Sequence, residues 1–424
     1  MWVENDGTDA VASAVLALSG GDAHWRDVAT RYRWQTNDTR CALRPYWPGD
    51  ACHLLRSAGI RRVLVLGDST QREFFYALSH FFHRRAGVVA DDNATRDARA
   101  RQREPWLRGE TFRGKYRPGT FLPAITHENT SFVLRAQHQR SGGYTEGTRR
   151  RQLKGDAEVL SALFDERCIA RDGSTHLLSV AWLRDELFVG SMLVREGQQC
   201  ATWERTGWLE PGACAAAASS APTDWGWISP HTGEVAMDWR SALLPRADLV
   251  VAQCGPHIPL NGHKALRQRI QADFVPAYEA AAAARPVPPL FLVRTSHLPV
   301  ELCSRRHDLI SELFAEQVDA QSTGAARSYS WPEILKVNDV FHNALAGLDH
   351  RLGRGARHRS CDAATGLVDV AQMTTTRPDF FEKPGQCMHM DPSESAGDKM
   401  HSWSVQILWN AVADLRPTPS SSGS

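Results

Sequence analysis

The sequence predicts an α/β fold in which helices cover both faces of a central parallel sheet. Its strand candidates are short, mostly apolar runs, such as RRVLVL (61–66) and ADLVVAQCG (247–255), in which apolar and polar residues do not alternate. Segments with helical periodicity lie between these runs. Strands of this kind are buried on both faces, as happens when helices pack on each side of a parallel sheet.

The first half of the chain gives the following elements in order. We expect a loosely ordered lead (1–30), an irregular segment rich in aromatic residues (31–50), a helix (51–58), a buried strand (61–66) and a helix (70–84). The last helix is amphipathic, because four apolar side chains recur at helical spacing: Phe74, Phe75, Leu78 and Phe81. Residues 150–235 are treated as an insertion or small subdomain, with a helix at 157–167, a strand at 177–190 and an Ala/Ser-rich loop at 214–222.

The second half is more regular. Strands are predicted at 247–255, 288–297 and 365–373, and helices at 264–284, 331–350 and 402–415. The final helix places four apolar residues on one face (Val405, Leu408, Trp409 and Val412), with Ser402 as its expected N-cap. We expect one domain from 31 to 415 and a disordered tail at 416–424.

Composition and charge exclude several classes of function. The 424 residues are 42% hydrophobic and 23% charged, as in a globular protein. The net charge of +1 gives no overall attraction to nucleic acid, and no run of 18 apolar residues could form a membrane span. The basic stretch at 96–117 is expected to be a solvated face, the alternative being a patch for an anionic glycan or for the phosphates of an acyl donor.

The cysteines suggest an oxidising compartment. Nine are scattered without a C-x-x-C pair (positions 41, 52, 168, 200, 214, 254, 303, 361 and 387), a pattern that favours disulfides over a zinc site. Three N-x-[ST] sequons begin at Asn37, Asn93 and Asn129. We therefore expect a glycoprotein of the Golgi lumen or the extracellular space, whose anchor or signal is not in this chain. The alternative is a cytosolic protein with buried thiols.

Small and polar residues follow the predicted parallel strands, at the sheet edge where α/β proteins form their sites. Gly67-Asp68-Ser69 follows the first strand, Gln253-Cys254-Gly255 the next, and Arg294-Thr295-Ser296-His297 the one after. Ser69 could be a nucleophile whose own backbone N–H helps to hold an oxyanion. The alternative is that Gly-Asp-Ser merely caps the following helix.

Two other residues of this turn have expected structural roles, and a third excludes a known motif. Gly67 permits a tight turn, and Asp68 is expected to hydrogen-bond loop amides. Gln71 stands where the G-x-S-x-G elbow of α/β-hydrolases requires glycine, so that elbow is disfavoured.

A serine nucleophile needs a base, and two histidines near the last helix are candidates. Asp398 precedes His401 by three residues, a spacing that lets the carboxylate fix the imidazole tautomer. His389 has Gln386 at the corresponding position. Both histidines remain candidates.

The order of these motifs resembles the SGNH (GDSL) hydrolase superfamily, and within it the PC-esterase branch of trichome-birefringence-like polysaccharide O-acetyltransferases and sialic-acid O-acetyltransferases. The resemblance covers most of the chain except its middle. It rests on these stretches: Trp34 with Cys41, Ser69 with Arg72, Gln253 to His257, Arg294 to Ser296, and Leu367 to Asp379. The chain departs from the family at Gln386, where the family has aspartate, and at Gln253, where it has asparagine.

The resemblance implies a three-layer SGNH-like domain and a serine-dependent O-acetyltransferase that acts on glycan hydroxyls. Ser69 would be acetylated by a donor such as acetyl-CoA or another acetyl carrier, with no bound cofactor or metal. His389 or His401, the latter with Asp398, would be the base. The turn residues Gly67 and Asp68, and the groups Arg72, Gln253, Gly255 and Arg294, would bind the oxyanion or the substrate.

The partners implied are a glycan or polysaccharide acceptor and a membrane-bound acetyl-donor protein. Two alternatives stay open on the same residues. One is an acetyl esterase of this fold, in which water replaces the sugar hydroxyl. The other is a catalytically impaired glycan-binding protein, which the glutamine at position 386 favours.

Overall fold

A computed structural model provides the fold of the chain. The structure describes residues 2–4, 32–34, 43–83, 125–127, 130–138, 157–170, 172–185, 188, 190–195, 198–218, 234–255, 261–296, 331–351, 366–368, 370–371, 381–383, 386–390 and 396–415. The expectations for the basic stretch at 96–117, the three sequons and the tail lie outside these residues.

The strands and helices follow in chain order. The strands are β1 (Trp2–Glu4), β2 (Tyr32–Trp34), β3 (Arg62–Gly67), β4 (Ile125–His127), β5 (Thr130–His138), β6 (Ala157–Ile169), β7 (Thr175–Arg184), β8 (Ser191–Arg195), β9 (Glu234–Asp238), β10 (Leu249–Ala252), β11 (Leu290–Arg294), β12 (Leu367–Val368), β13 (Phe381–Lys383) and β14 (Gln386–Met390). The α-helices are α1 (Pro48–Ser57), α2 (Ser69–His83), α3 (Gln198–Arg205), α4 (Ala213–Ala218), α5 (Trp239–Ala242), α6 (Gly262–Arg269), α7 (Val275–Ala283), α8 (Trp331–Arg351) and α9 (Ala396–Leu415). A 3₁₀ turn (Leu244–Arg246) follows α5, and a π-helical turn (Ile270–Phe274) joins α6 to α7.

An eight-stranded sheet forms the centre of the molecule, in the order β12-β11-β10-β3-β7-β6-β5-β4. The first five strands of this order are parallel to their neighbours, and β6, β5 and β4 extend the sheet as antiparallel strands. The expected α/β fold with a mostly parallel central sheet is therefore confirmed.

Helices cover both faces of this sheet. On one face, Val63 and Val65 of β3 belong to a hydrophobic cluster with residues of α1, α2 and α9. On the other, Leu64 and Leu66 belong to a cluster with residues of α3, α5, α6, α7 and α8. Because β3 is apolar on both sides, it lies between two cores, and the fold has three layers.

The two helices predicted with most detail, α2 and α9, pack against each other. The apolar residues expected on their inner faces are buried. Phe81 and Phe82 of α2 contact the indole of Trp409, with ring centroids 5.8 and 5.6 Å apart. Each such fully buried side chain contributes about 1.5–3 kcal/mol through removal of apolar surface from water.

Residues 43–47, part of the segment expected to be irregular, are held against α9 by amide side chains. Asn410 accepts from the Arg44 backbone N–H (2.9 Å) and donates to the Arg44 carbonyl (3.0 Å). Gln406 makes the same pair of hydrogen bonds with the Tyr46 backbone, at 2.7 and 2.9 Å. These two amide side chains thus satisfy the backbone groups of residues 44 and 46, which belong to none of the described strands. At the start of the chain, β1 pairs with β2, and the rest of the lead lies outside the described residues.

The predicted helix at 157–167 is wrong, because this segment is the strand β6. It pairs with β5 on one side and β7 on the other. The sequence AEVLSALFDER is rich in helix-forming Ala, Leu and Glu, but pairing on both edges overrides that local preference. Residues 150–235, treated as an insertion, thus contribute β6 and β7 to the central sheet, and β7 lies directly beside β3.

Two boundary predictions are also corrected. Part of the expected Ala/Ser-rich loop at 214–222 is the helix α4, since alanine has the highest intrinsic helix propensity. The last helix begins at Ala396 and not after Ser402, so Ser402 is not its N-cap and His401 lies within the helix.

Two disulfides confirm part of the cysteine prediction. Cys52 of α1 is bonded to Cys168 of β6, and Cys200 of α3 is bonded to Cys214 of α4. Cys254 is a buried thiol. Cys41, Cys303 and Cys361 lie outside the described residues. None of the helices that the structure describes is long and apolar enough to cross a membrane.

The two disulfides are expected to stabilise the fold unequally. In the chain-entropy model, stabilisation grows with the length of the closed loop, and the separations are 116 residues for Cys52–Cys168 and 14 for Cys200–Cys214. We expect the C52A/C168A variant to lose about 4–5 kcal/mol of unfolding free energy and the C200A/C214A variant about 3 kcal/mol, measured by urea unfolding. Equal losses, or a larger loss from the short loop, would contradict this account.

His176 of β7 is expected to make the fold sensitive to acid. Burial, with the nearby charges of Arg61 and Arg56, lowers its pKa below the ordinary 6.5, and neither ring nitrogen has a hydrogen-bond partner. Below pH 6.5 the unfolded chain binds a proton that the folded state resists, so stability falls as the pH drops from 6.5 toward the folded pKa. The H176Q variant should show a shallower decline of unfolding free energy between pH 7.5 and 5.5. An unchanged slope would refute this assignment.

Candidate active site

The order of the parallel strands predicts a crevice at the carboxyl ends of β3 and β10. In chain order the parallel strands are β3, β7, β10, β11 and β12. Read across the sheet from β7 to β12, they stand in the order second, first, third, fourth and fifth. The helix after β3 packs on one face, whereas the helices after β10 pack on the other. When the segments that follow two neighbouring strands turn toward opposite faces of the sheet, an opening forms between them. Ligands bind at such openings in folds of this kind.

Gly67 ends β3 where the two strand exits approach closely. Its φ is +152°, and a Cβ there would lie 2.5 Å from the Gln253 carbonyl oxygen and 2.9 Å from Cβ of Gln71. Only glycine fits both the backbone conformation and the space. Glycine at position 67 therefore lets the end of β3 lie close against the backbone that leaves β10.

Asp68 is fully buried and caps α2. Its Oδ1 accepts hydrogen bonds from the Thr70 backbone N–H (2.9 Å), the Thr70 hydroxyl (2.7 Å) and the Gln71 backbone N–H (3.3 Å). These bonds satisfy donors of the first helical turn that have no partner within the helix. The expected structural role of Asp68 is confirmed.

The second carboxylate oxygen of Asp68 faces the exit of β10. A Cβ added at Gly255 would lie 1.5 Å from Asp68 Oδ2, so Gly255 leaves the space that this oxygen occupies. Oδ2 is buried and has no hydrogen-bond partner. Asp68 therefore joins the first turn of α2 to the loop that follows β10.

Ser69 is the first residue of α2, directly after β3 and at the crevice. The positive end of the α2 dipole lies at this position, which favours negative charge nearby. This backbone placement fits a nucleophile at a strand-to-helix turn, and it equally fits the alternative that Gly-Asp-Ser caps the helix, as the Asp68 hydrogen bonds do.

Arg294, at the end of β11, is buried in the same region. Its Nη1 donates to Gln253 Oε1 at 2.5 Å and to Gln71 Oε1 at 3.4 Å, and its Cζ lies 5.1 Å from the Phe74 ring centroid. Burial lowers its pKa to about 10, opposed by the charges of Asp68 and Glu73. Arg294 thus remains protonated at neutral pH.

Gln253, expected as an oxyanion donor, is held by the neighbouring strand exits. Its Oε1 accepts from Arg294, and its Nε2 donates to Ser296 Oγ at 3.1 Å. The Ser296 hydroxyl in turn donates to the Cys254 carbonyl. The Gln253 amide thereby fixes the exit of β10 against that of β11, and one of its two amide hydrogens is engaged there.

His401 lies within α9 and contacts a carboxylate that the sequence analysis missed. Its Nε2 is 3.2 Å from Glu73 Oε2, and its Nδ1 is 3.5 Å from Arg294 Nη2. Because a guanidinium only donates, Nδ1 acts as the acceptor and Nε2 carries a proton directed at Glu73. Both ring nitrogens are therefore engaged in a buried network. Asp398 lies one turn earlier on α9.

Glu73 could have been noticed from the sequence, because it is an acid next to Phe74 and Phe75 on a helix with a buried face. It is only 5% exposed. No local pattern, however, relates it to His401, which lies 328 residues further along the chain.

His389 lies on β14, which pairs with β13 in a separate two-stranded sheet. β14 lies against both α2 and α9. The strand that carries His389 therefore packs on the helix that begins at Ser69. Gln386 is the first residue of this strand.

Arg72 is directed toward the other neighbour of β3. Its Cζ lies 6.0 Å from the ring centroid of Trp182 on β7, within range of a cation–π interaction, and its Nε is buried without a hydrogen-bond partner. Among the residues predicted to bind the oxyanion, Arg72 is thus on the β7 side of the turn and Gly255 on the β10 side.

Comparison with known proteins adds no assignment: no protein-family model and no curated protein matches the chain. Within the part of the chain that the structure describes, no three His, Cys, Asp or Glu side chains are placed to hold a metal ion.

The buried charges are expected to depend on one another. Replacing Arg294 by Met leaves the nearby carboxylates of Glu73 and Asp68 without this cation, so R294M should lose about 3–5 kcal/mol of unfolding free energy. The R294M/E73Q variant should lose less than the sum of the two single variants in urea unfolding. As a control, R56M removes an exposed ion pair with Asp172 and should cost less than about 1 kcal/mol. Strict additivity of R294M and E73Q would contradict the coupling.

Proposed function

We propose that this protein is a serine-dependent O-acetyltransferase that moves an acetyl group to a glycan hydroxyl through an acetyl-Ser69 intermediate. The observation that carries the proposal is the place of Gly67-Asp68-Ser69: it follows the first parallel strand, at the strand-order reversal, and begins α2. The resemblance of the strand exits to the PC-esterase branch of the SGNH hydrolases supports the same assignment.

In the proposed reaction, Ser69 Oγ attacks the acetyl carbonyl carbon while a histidine takes its proton. The tetrahedral oxyanion accepts hydrogen bonds from the backbone N–H groups of Ser69 and Gly255, and the dipole of α2 favours its charge. Collapse breaks the bond between the acetyl carbon and the donor's leaving group, which takes the proton from the histidine. A sugar hydroxyl then gives its proton to the histidine and attacks the acetyl carbon. The bond from Ser69 Oγ to that carbon breaks, and Oγ takes the proton from the histidine, which restores both residues.

We propose His389 as the base in preference to His401. Both ring nitrogens of His401 already face partners, Glu73 and Arg294, so its lone pair is committed to the buried network. His389 is carried by a strand that packs on α2. The Gln386 carbonyl oxygen can accept a hydrogen bond from this imidazole but cannot stabilise imidazolium by charge, which makes the site slower than a full Ser-His-Asp triad.

Two wider expectations belong to this proposal. The two disulfides support a protein of the secretory pathway, where a glycan acceptor is available. The acetyl group would come from acetyl-CoA or another acetyl carrier, presented by a membrane-bound partner. Water as the acceptor would make the same site an acetyl esterase.

Removal of the proposed nucleophile should abolish acetyl transfer. With 4-nitrophenyl acetate as donor and a mixture of oligosaccharides as acceptors, S69A should lose at least about 10³-fold in rate. H389A should lose about 10²–10⁴-fold, since it removes the general base. The matched control S57A, which alters a serine hydrogen-bonded to the Leu54 carbonyl in α1, should keep full activity.

The outcomes separate the candidate functions. Activity that survives in S69A would overturn the serine mechanism. Release of acetate without acetylated sugar, lost in S69A, would indicate the esterase. Sugar binding without any turnover in the wild-type protein would favour the glycan-binding alternative. H401A, measured alongside, should lower the unfolding free energy and leave the rate per folded molecule close to that of the wild type. A large loss of rate with unchanged stability would make His401 the base.

A further inference from the structure

A second cleft lies at the opposite edge of the sheet, near the amino ends of β3 and β10. It has a volume of about 480 Å³, and its lining includes the side chains of Arg62, Arg246 and Arg285 together with Leu209, Pro245 and Ser241. This volume lies within the usual range of small-molecule sites, about 300–1,000 Å³. β3 rises by about 20 Å over its six residues, so the cleft is well separated from Ser69.

Two of the three arginines have ionic partners. Arg285 donates to the Asp248 carboxylate and to the Ala247 carbonyl. The other oxygen of Asp248 accepts from the backbone N–H groups of Arg61 (2.8 Å) and Arg62 (2.9 Å), so this carboxylate is fully engaged. Arg246 donates to the Gly207 carbonyl at 3.2 Å and pairs with Glu210.

Positive charge remains in excess after this pairing. The Glu210 side chain is 73% exposed, so its pairing with Arg246 is weak. Among the described residues, the Arg62 guanidinium has neither a hydrogen-bond nor an ion-pair partner. Burial, followed by repulsion from Arg62, lowers the pKa of Arg246. Three guanidinium groups and two carboxylates leave one cation unmatched.

The wall that holds Arg62 is fixed in place. Gly207 has a φ of +74°, and a Cβ added there would lie 2.6 Å from Arg62 Nη2. Gly207 belongs to the turn between α3 and α4, and the Cys200–Cys214 disulfide closes that turn. Packing against this turn restricts the positions open to the Arg62 guanidinium, which reduces the conformational freedom lost on binding.

We propose that this cleft binds a small organic anion, a phosphate or sulfate monoester, whose oxyanion is held by the Arg62 guanidinium. The planar fork of arginine matches the oxygens of such a group, and the excess positive charge compensates the ligand's charge. Pro245 and Ala242, which are both accessible in the lining, contact the organic part. The site lies at the opposite edge from the candidate active site and stands independently of the proposed acetyl transfer.

The test measures binding of two probes, inorganic phosphate and phenyl phosphate, by isothermal titration calorimetry at constant ionic strength. We expect phenyl phosphate to bind more tightly than phosphate, and the R62Q variant to weaken both by at least about tenfold. The control R56Q, which alters an exposed arginine of α1, should bind as the wild type does. S69A should also retain full binding, which keeps this test separate from that of the proposed function.

A charge-only comparison covers the case in which R62Q fails to fold. Ser241 is an exposed residue of α5 that lines the cleft. S241E places a carboxylate beside the arginines and should abolish binding, whereas the matched S241Q should retain it. No binding of either probe to the wild-type protein, equal binding by S241E and S241Q, or unchanged binding in a folded R62Q would overturn the proposal. Equal affinity for the two probes would overturn the role of the apolar wall.

Discussion

The crevice depends first on the buried carboxylate of Asp68. One of its oxygens caps α2 through Thr70 and Gln71, and the other fills the space left by Gly255. The first turn of α2 is therefore fixed relative to the exit of β10, and Ser69 begins that turn. The negative charge of Asp68 also raises the pKa of Arg294 against the effect of burial. A single side chain thus couples a helix start, a strand exit and a buried cation.

The buried polar network explains why several residues predicted to contact substrate also hold the scaffold. Arg294 links Gln253 at the end of β10 to His401 on α9, and His401 continues the network to Glu73 on α2. A lone buried arginine is costly, and this one persists because acceptors and carboxylates surround it. The network places the strand exits, while the backbone N–H groups at the crevice are left to act on substrate in the proposed reaction.

Much of the fold could be predicted because its strands and helices carry their own local patterns. β3 is a continuous apolar run and α2 is amphipathic, so the bounds of both elements are predicted within one or two residues. β6 was mistaken for a helix because its two-sided pairing is set by strands distant in sequence. For the same reason the contact between His401 and the Glu73 carboxylate, which lie 328 residues apart on two helices, could not be predicted from local spacing. Local spacing predicts which residues share an edge of the sheet, but not which side chains meet across elements.

The most direct test of the central claim is to locate covalent labelling by a serine-directed fluorophosphonate using peptide mass spectrometry. Trypsin releases residues 63–72 as VLVLGDSTQR, in which Ser69 is the only serine. The account predicts a single phosphonate adduct on Ser69 in the folded protein, and none after denaturation. Labelling of another serine, or of no residue under conditions where a known serine esterase is fully labelled, would contradict it.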